Sequence, residues 1–454
     1  MKVAVIGGGV SGLTTAFYLK QSGIRCTLIE KAGQLGGLIR TDTLQGCQLE
    51  AGPDSYIATK AAVTELAKQL GGLDSEIIGS NDAERRVYIV RGDRFVDMPK
   101  GMSMMVPGDL STAMKSDLFS VRTKVGFLTE IFRPKRDRQT DFSVRELVAS
   151  HFGDELLEYV TEPLLSGVYG GDSAQLSAMS VLPRFVTYER QYGSLIRGVR
   201  HERREAGPSG SLFLSFRRGM QTLTDALAAE LVNFADILHE EAISVDDVSK
   251  GWVVRTANAT IDATHVVIAT PAYAAARLLE QSAAELSIEL ARIPYSSAIL
   301  VTLVYHEEDA PIPKGFGFLV PRRERQTIAA ATFVGTKWPS RLSPGLVALR
   351  AFIVDPESPK LLACGDAELL QLVRRDFERF LKIKAEPQFS TMERWPNSMP
   401  QYVVGHEAHR QRISQLASSF PGLYLTGNAY EGVGVPDSVR MAHATANRIA
   451  SPRN

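Results

Sequence analysis

An α/β protein is what this sequence predicts, and three observations predict it. A short apolar run at the start ends in a triple glycine and opens onto helix-compatible residues; short β-branched runs return after residue 240; and a methionine-rich, largely helical stretch separates them. The chain has 454 residues, 44% of them hydrophobic and 22% charged, which is ordinary globular usage and excludes intrinsic disorder. Length over about 150 residues per domain suggests roughly three domain equivalents, open to interleaving from discontinuous segments. The 51 basic residues balance 51 acidic ones, so the formal net charge is zero and a polyanion such as nucleic acid is not an expected partner. Three cysteines, Cys26, Cys47 and Cys364, form no close-spaced pair, which predicts a reducing, cytoplasmic setting.

Taken in order, Val3–Ile6 is the first strand, residues 13–19 a helix, and Cys26–Ile29 a second strand ending at Glu30. No leader is expected, because Met1-Lys2 passes at once into the strand, and no apolar run reaches about eighteen residues. Residues 54–73 read as a helix and 86–96 as a hairpin turned at Arg91-Gly92-Asp93. Residues 99–132 are apolar and rich in Met; 133–139 form a charged, solvated linker. Helices are predicted over 143–166 and 183–204, then a polar break over 202–210 and an amphipathic helix over 219–232. Strands follow near 242–248, 252–256 and 266–270, and again near 298–305 and 347–354. A helix over 367–381 and a strand-turn-helix over 423–450 complete the pattern.

Gly7, Gly9 and Gly12 fill the G-x-G-x-x-G pattern between a strand and a helix. Such glycines permit a tight turn and let a pyrophosphate approach the amides at the helix N-terminus. Glu30 follows Gly12 by eighteen residues, at the end of the next strand, where a carboxylate can accept from a ribose. A bound dinucleotide is the expectation, on a Rossmann-like βαβ unit. There is no second such glycine motif and no Cys-x-x-Cys, which disfavours a pyridine-nucleotide disulfide reductase. Instead the chain continues Gly36-Gly37-Leu38-Ile39-Arg40-Thr41 and Glu50-Ala51-Gly52-Pro53-Asp54-Ser55, further glycine turns along which an extended cofactor can lie. Near the other end, Val433-Gly434-Val435 precedes a helical pattern starting at Pro436, so free amides and a helix dipole can stabilise negative charge. The eight histidines show no metal-binding spacing, and His406 with His409 reads as structure rather than a metal pair.

Gly7-Gly8-Gly9-Val10-Ser11-Gly12, Glu30-Lys31, Leu35-Gly36-Gly37 and Glu50-Ala51-Gly52-Pro53 resemble the FAD signature of the amine oxidase superfamily. Glu162 to Asp172 (EPLLSGVYGGD), Met399-Pro400-Gln401-Tyr402 and Gly427 to Asp437 (GNAYEGVGVPD) look like its protoporphyrinogen oxidase and coproporphyrinogen III oxidase branch. These blocks span nearly the whole chain. The resemblance implies an FAD-binding domain built from residues 1–75, 211–285 and 410–454, a mixed-sheet substrate domain from 76–98 and 286–409, and a mostly helical subdomain over 99–210. It implies that Gly7, Gly8, Gly9, Val10, Ser11 and Gly12 hold the pyrophosphate and Glu30, with Lys31, the ribose. Gly37 and Leu38 with Gly52, Pro53, Asp54 and Ser55 would line the path to the flavin, Ile243 would meet the adenine through its backbone, and Asn428 with Val433, Gly434 and Val435 the isoalloxazine.

The activity implied is oxidation of a porphyrinogen to the porphyrin in heme biosynthesis, with molecular oxygen reoxidising the flavin over three rounds. Such chemistry belongs to the cofactor and needs no triad or metal, so no acid-base residue is assigned. For the substrate the family implies Gly167 near the reacting edge and Gly317, Leu319 and Phe352 as apolar walls, with core packing or a simple turn as their plainer roles. Arg40 and Lys100 are candidate carboxylate anchors. Ser103 stands where some members carry an arginine that pairs with a propionate, and the Pro99-Lys100-Gly101 form resembles the bacterial coproporphyrinogen III enzymes more than the protoporphyrinogen IX ones. The 102–132 stretch is either a lid against a membrane surface or a helical subdomain over the pocket. Handover to the next enzyme of the heme pathway is a further expectation. The rival readings are an amine or carotenoid oxidoreductase, with Tyr402 and Tyr430 as an aromatic cage, and a non-enzymatic escort protein on the same scaffold.

Overall fold

The computed structural model describes residues 1–92, 94–205 and 210–451. The predicted turn residue Asp93 and residues 206–209 of the polar break lie outside them. Five short strands, Asp236–Leu238, Cys26–Ile29, Val3–Ile6, His265–Ile268 and Leu423–Leu425, form one wholly parallel sheet in that order. Parallel strands covered on both faces must be apolar throughout, and the two-residue period sorts their side chains. Val3 and Val5 enter the core under helices Val10–Gln21, Gln221–Leu231 and Val435–Ala450. Ala4 and Ile6 enter the opposite core, beneath Ala272–Leu278, Ala284–Ala291 and His406–Ser418.

A second, seven-stranded sheet runs Phe389–Pro400, Tyr295–His306, Leu346–Val354, Ala330–Phe333, Gly317–Leu319, Val87–Arg91, Arg94–Asp97. It is mixed, because Gly317–Leu319 pairs parallel with Val87–Arg91 while its other pairings are antiparallel. Helix Asp366–Leu381 covers one face through Leu369, Val373 and Phe377. At the Val87–Asp97 end the other face meets a helical block that includes Val121–Glu130, Val144–Phe152, Glu162–Tyr169, Pro183–Tyr192 and Leu195–Glu205. Ser143 opens the second of these with a reciprocal capping box to Glu146, each side chain satisfying the other residue's amide.

The helix expected over 54–73 is shorter. Tyr56–Ile57 is a strand paired with Phe213–Phe216, and the helix occupies only Ala62–Gln69. Pairing with a distant strand overrides the local periodicity. Helices Ala284–Ala291 and His406–Ser418 and strand Phe389–Pro400 were not expected; the strand alternates polar residues and carries Pro396, so no apolar period marks it. Among the described residues no helix is long and apolar enough to cross a membrane.

Candidate functional site

The carboxyl ends of the parallel strands lie in one line, with Leu238, Ile29, Ile6, Ile268 and Leu425 in register across the sheet. In open α/β sheets this edge is where ligands bind. Gly7 leaves it with φ at 106° and donates its amide to Ile29 O (2.8 Å). A Cβ on Gly12 would come within 1.8 Å of Gly7 O, and one on Gly8 within 2.6 Å of Leu35 Cδ2, so the helix seats directly on the turn only because both are glycine. Gly9 caps the helix without a side-chain bond, which leaves the first amides free for an anion. The Glu30 carboxylate is fixed beside them by the Gly8 amide (2.6 Å) and the Ala32 amide (2.8 Å). Lys31 is exposed and Val10 and Ser11 form the first helical turn.

Gly36 then returns to the same turn, its amide on Gly8 O (2.8 Å), and Gly37 lies so close that a Cβ would stand 3.1 Å from Gly9 Cα. Gly52 is needed for a similar reason: a Cβ there would meet Leu38 O at 1.8 Å. Leu38 is left exposed. Asp54, however, has its carboxylate engaged by Lys337 Nζ (2.8 Å) and Trp338 Nε1 (3.4 Å). Burial alone would raise its pKa; the Lys337 and Arg350 charges outweigh it and hold the group far below the usual carboxylate range. Ser55 donates to the same carboxylate (2.7 Å). Through these side-chain bonds Asp54 and Ser55 tie the loop to the second sheet, while all four residues, 52–55, stay partly accessible. Ile243 is exposed, and its amide is bonded to Arg255 O (2.7 Å), so a contact through its backbone falls to the carbonyl.

The two ends of the chain meet at this edge. Tyr18, eight residues into the Val10–Gln21 helix, stacks on His443, eight residues into Val435–Ala450, with ring centroids 3.8 Å apart and planes within 15°. Equal offsets put the two helix N-termini level, both aimed at the crevice above the strands. Gly434 caps the second helix without a side-chain bond, and Gly432, with φ at 113°, lies over Asp437. Lys60 neutralises that aspartate at 2.6 Å. Thr426 Oγ1, at the end of the last strand, is buried with no partner. Free amides, the Glu30 acceptor, glycines that admit no Cβ and an orphaned hydroxyl all fit an elongated nucleotide cofactor lying between the turns.

Beside it, Leu319, Ala330 and Phe352 stand opposite one another on adjacent strands and so share one face of the mixed sheet. Arg350, two residues before Phe352 on that face, lies 4.9 Å from its ring and donates to Gly52 O, joining this wall to the cofactor path. Gly317 is explained by the sheet alone: at φ 144° a Cβ would meet Ala331 O at 1.9 Å. Gly167 is helical rather than a turn residue, and nothing lies within 4 Å of where its Cβ would be, so it borders open space.

The two candidate anchors differ in their surroundings. Arg40 is already bonded to Asp42 and Glu393, whereas the Lys100 side chain is exposed. Ser103 accepts from Arg184 Nη2 (3.2 Å), so an arginine reaches this position from helix Pro183–Tyr192, which no local motif signals. Sequence reasoning also missed a cleft of about 400 Å³ bordered by Ser166, Gly170, Tyr295, Gln401 and Arg325. The Arg325 side chain is 2% exposed and bonded to Glu357 (3.2 Å), and burial lowers its pKa. Tyr402 and Tyr430 are buried in packed cores and form no cage. His406 starts a helix, buried against Tyr402, where burial lowers its pKa. Among the described residues no group of His, Cys, Asp or Glu is placed to hold a metal.

Residues 10–450 match the family described as flavin containing amine oxidoreductase. A coproporphyrinogen III oxidase of Bacillus subtilis is 31% identical over 98% of this chain and 97% of its own. A mitochondrial protoporphyrinogen oxidase of Nicotiana tabacum is 24% identical over 99% and 95%. A crystal structure from Exiguobacterium sp. 255-15, provisionally named protoporphyrinogen oxidase, superposes with a TM-score of 0.88 at 30% identity, covering 99% of this chain and 98% of that one.

Proposed function

The chain belongs to the flavin containing amine oxidoreductase family and is an FAD-dependent oxidoreductase; from that premise we propose that it oxidises a porphyrinogen to the porphyrin in heme biosynthesis. The observation that carries the reading is the level pair of helix N-termini beside an apolar wall. One uncapped helix end and Glu30 receive the pyrophosphate and ribose; the other, at Gly434, faces the ring. When bound, the flavin accepts the electrons taken from the substrate, and oxygen is its proposed reoxidant. The protein's own part is to orient a flat apolar ring system against Leu319 and Phe352, below Gly167, and to keep water away. Tyr402 and Tyr430 are buried, which weighs against an amine in an aromatic cage.

Coproporphyrinogen III is the proposed substrate. The higher identity to the Bacillus enzyme supports it, as does Ser103 with Arg184 behind it. The test is porphyrin fluorescence in air with each porphyrinogen: faster turnover of the copro form is expected, and amine turnover without porphyrin emission, or a colourless protein that takes up no FAD, defeats the reading.

Peripheral membrane contact belongs to the same proposal. On helix Val121–Glu130 and just past it, Val121 (77% exposed), Val125, Leu128 and Phe132 (84%) follow one another at helical spacing on the solvent side, while Thr123 and Phe127 turn inward. The exposed Lys135 and Arg136 follow closely, as an anionic lipid surface would require, while Arg133 is bonded to Ser150 O. Co-sedimentation with phosphatidylglycerol vesicles, lost in V121S/F132S, is the expected result; equal recovery with phosphatidylcholine alone opposes it.

A further inference from the structure

Tyr402 sits in a segment that nothing in the proposed reaction uses, yet this segment joins three parts of the molecule. Gln401 donates to Tyr169 O (2.6 Å) at the end of the Gly167 helix and to Ser296 Oγ (2.8 Å) on the mixed sheet. Tyr402 O accepts from the Ser177 amide (2.8 Å) of the helical block. The Tyr402 side chain, 2% exposed, turns the other way, under the glycine turn that precedes the last helix. Its hydroxyl donates to Asn428 O (2.7 Å) and accepts from the Gly432 amide (2.7 Å), so both of its hydrogen-bonding capacities close on one loop. His406 stacks against the ring at 4.0 Å, within 12° of parallel, and fixes its plane. The Tyr169 ring lies 6.3 Å away.

Other contacts hold the middle of this loop, with Arg440 donating to Glu431 O (3.0 Å), His406 on Tyr430 O (3.3 Å) and Ala429 and Tyr430 buried, but the Tyr402 hydroxyl is what bridges Asn428 to Gly432. Gly434 makes no side-chain cap, and Gly432 sits at a φ that other residues rarely adopt. A hydroxyl bridging a carbonyl and an amide four residues apart sets the width of the loop, and with it the direction of the amides at Gly434. Resting on the flavin reading above, we propose that Tyr402 is the positioning residue for the ring end of the cofactor, holding the 428–434 turn in the shape that lets its amides stabilise the reduced flavin. Through Tyr169 and Ser177 the same residue ties that shape to the helix bordering the substrate space. Burial keeps the phenol protonated, raising its pKa well above the usual range, so the donor role persists across working pH.

The experiment uses the FAD-loaded full chain. Tyr402→Phe keeps the ring and the His406 stack and removes both hydrogen bonds. The expected results are a tenfold loss in stabilisation of reduced over oxidised flavin, about 30 mV more negative for a two-electron couple, and a changed visible absorbance band. Tyr305→Phe, the same deletion in the core of the mixed sheet, is the comparator and leaves both unchanged. A Tyr402→Phe protein whose stabilisation of reduced over oxidised FAD stays within twofold of the parental value, about 9 mV, and whose spectrum is parental overturns the proposal. Hydrogen exchange on the unsubstituted holoenzyme tests it without any variant: the Gly432 amide is protected, and exchange at the rate of an exposed loop amide overturns it too. If the unsubstituted chain takes up no flavin, the underlying reading fails instead, which keeps the two failures distinct.

Discussion

Gly12 shows how one missing side chain makes a binding turn. With 1.8 Å between a Cβ there and Gly7 O, Gly12→Ala must push the helix off the turn, and overpacking of this kind costs about 1–3 kcal/mol. The expected outcome is FAD affinity weakened by about tenfold to a hundredfold, measured by fluorescence titration of the apoprotein, with the thermal midpoint moving less than the affinity. The glycine motif and Glu30 were legible from spacing alone, since chemistry dictates residue type there. Asp54 was not: nothing near it announces that Lys337, nearly three hundred residues on, claims its carboxylate. Nor was the engagement of Arg40 legible, because its partner Glu393 lies on a strand that carries no apolar period.

At the level of elements, the helical block carries a buried polar joint. His151 Nδ1 meets Glu130 (2.8 Å) and its Nε2 meets Glu189 (3.2 Å), so one imidazole pins three helices together. Burial would raise the Glu189 pKa, but the His151 and Arg138 hydrogen bonds outweigh it and bring it to about 2. A carboxyl depressed in the folded state stabilises above its ordinary pKa and ceases to do so as pH falls toward the folded value. Thermal midpoints should therefore fall between about pH 4.5 and 2, and His151→Gln should flatten that slope; an unchanged slope counts against the joint. Strands and helices with one apolar face were readable in the sequence, while the 54–73 segment was misread because its partner strand, Phe213–Phe216, is distant.

At the scale of the whole molecule a buried ion pair joins distant segments of the chain: the strand Cys47–Glu50, the strand Phe213–Phe216 and the short turn Pro339–Arg341. Arg341 Nη1 lies 2.6 Å from Glu50 Oε1, and its other arm donates to Ser215 Oγ and Phe216 O, both at 2.8 Å. Removing one partner of such a pair strands a charge and costs about 3–5 kcal/mol. Arg341→Met should lower the thermal midpoint by several degrees, read by circular dichroism, whereas the exposed Arg145–Asp154 pair should be dispensable.

The stacked Tyr18 and His443 carry a consequence for how the molecule is made. A cradle whose halves come from opposite ends of the chain does not exist while the ribosome is still at work. The proposed nucleotide grip is translated well before the helix Val435–Ala450, which must emerge and pack alongside it. Under the proposed reading, cofactor capture follows synthesis of that helix, and a chain truncated before it is expected not to bind FAD, however well its earlier parts fold.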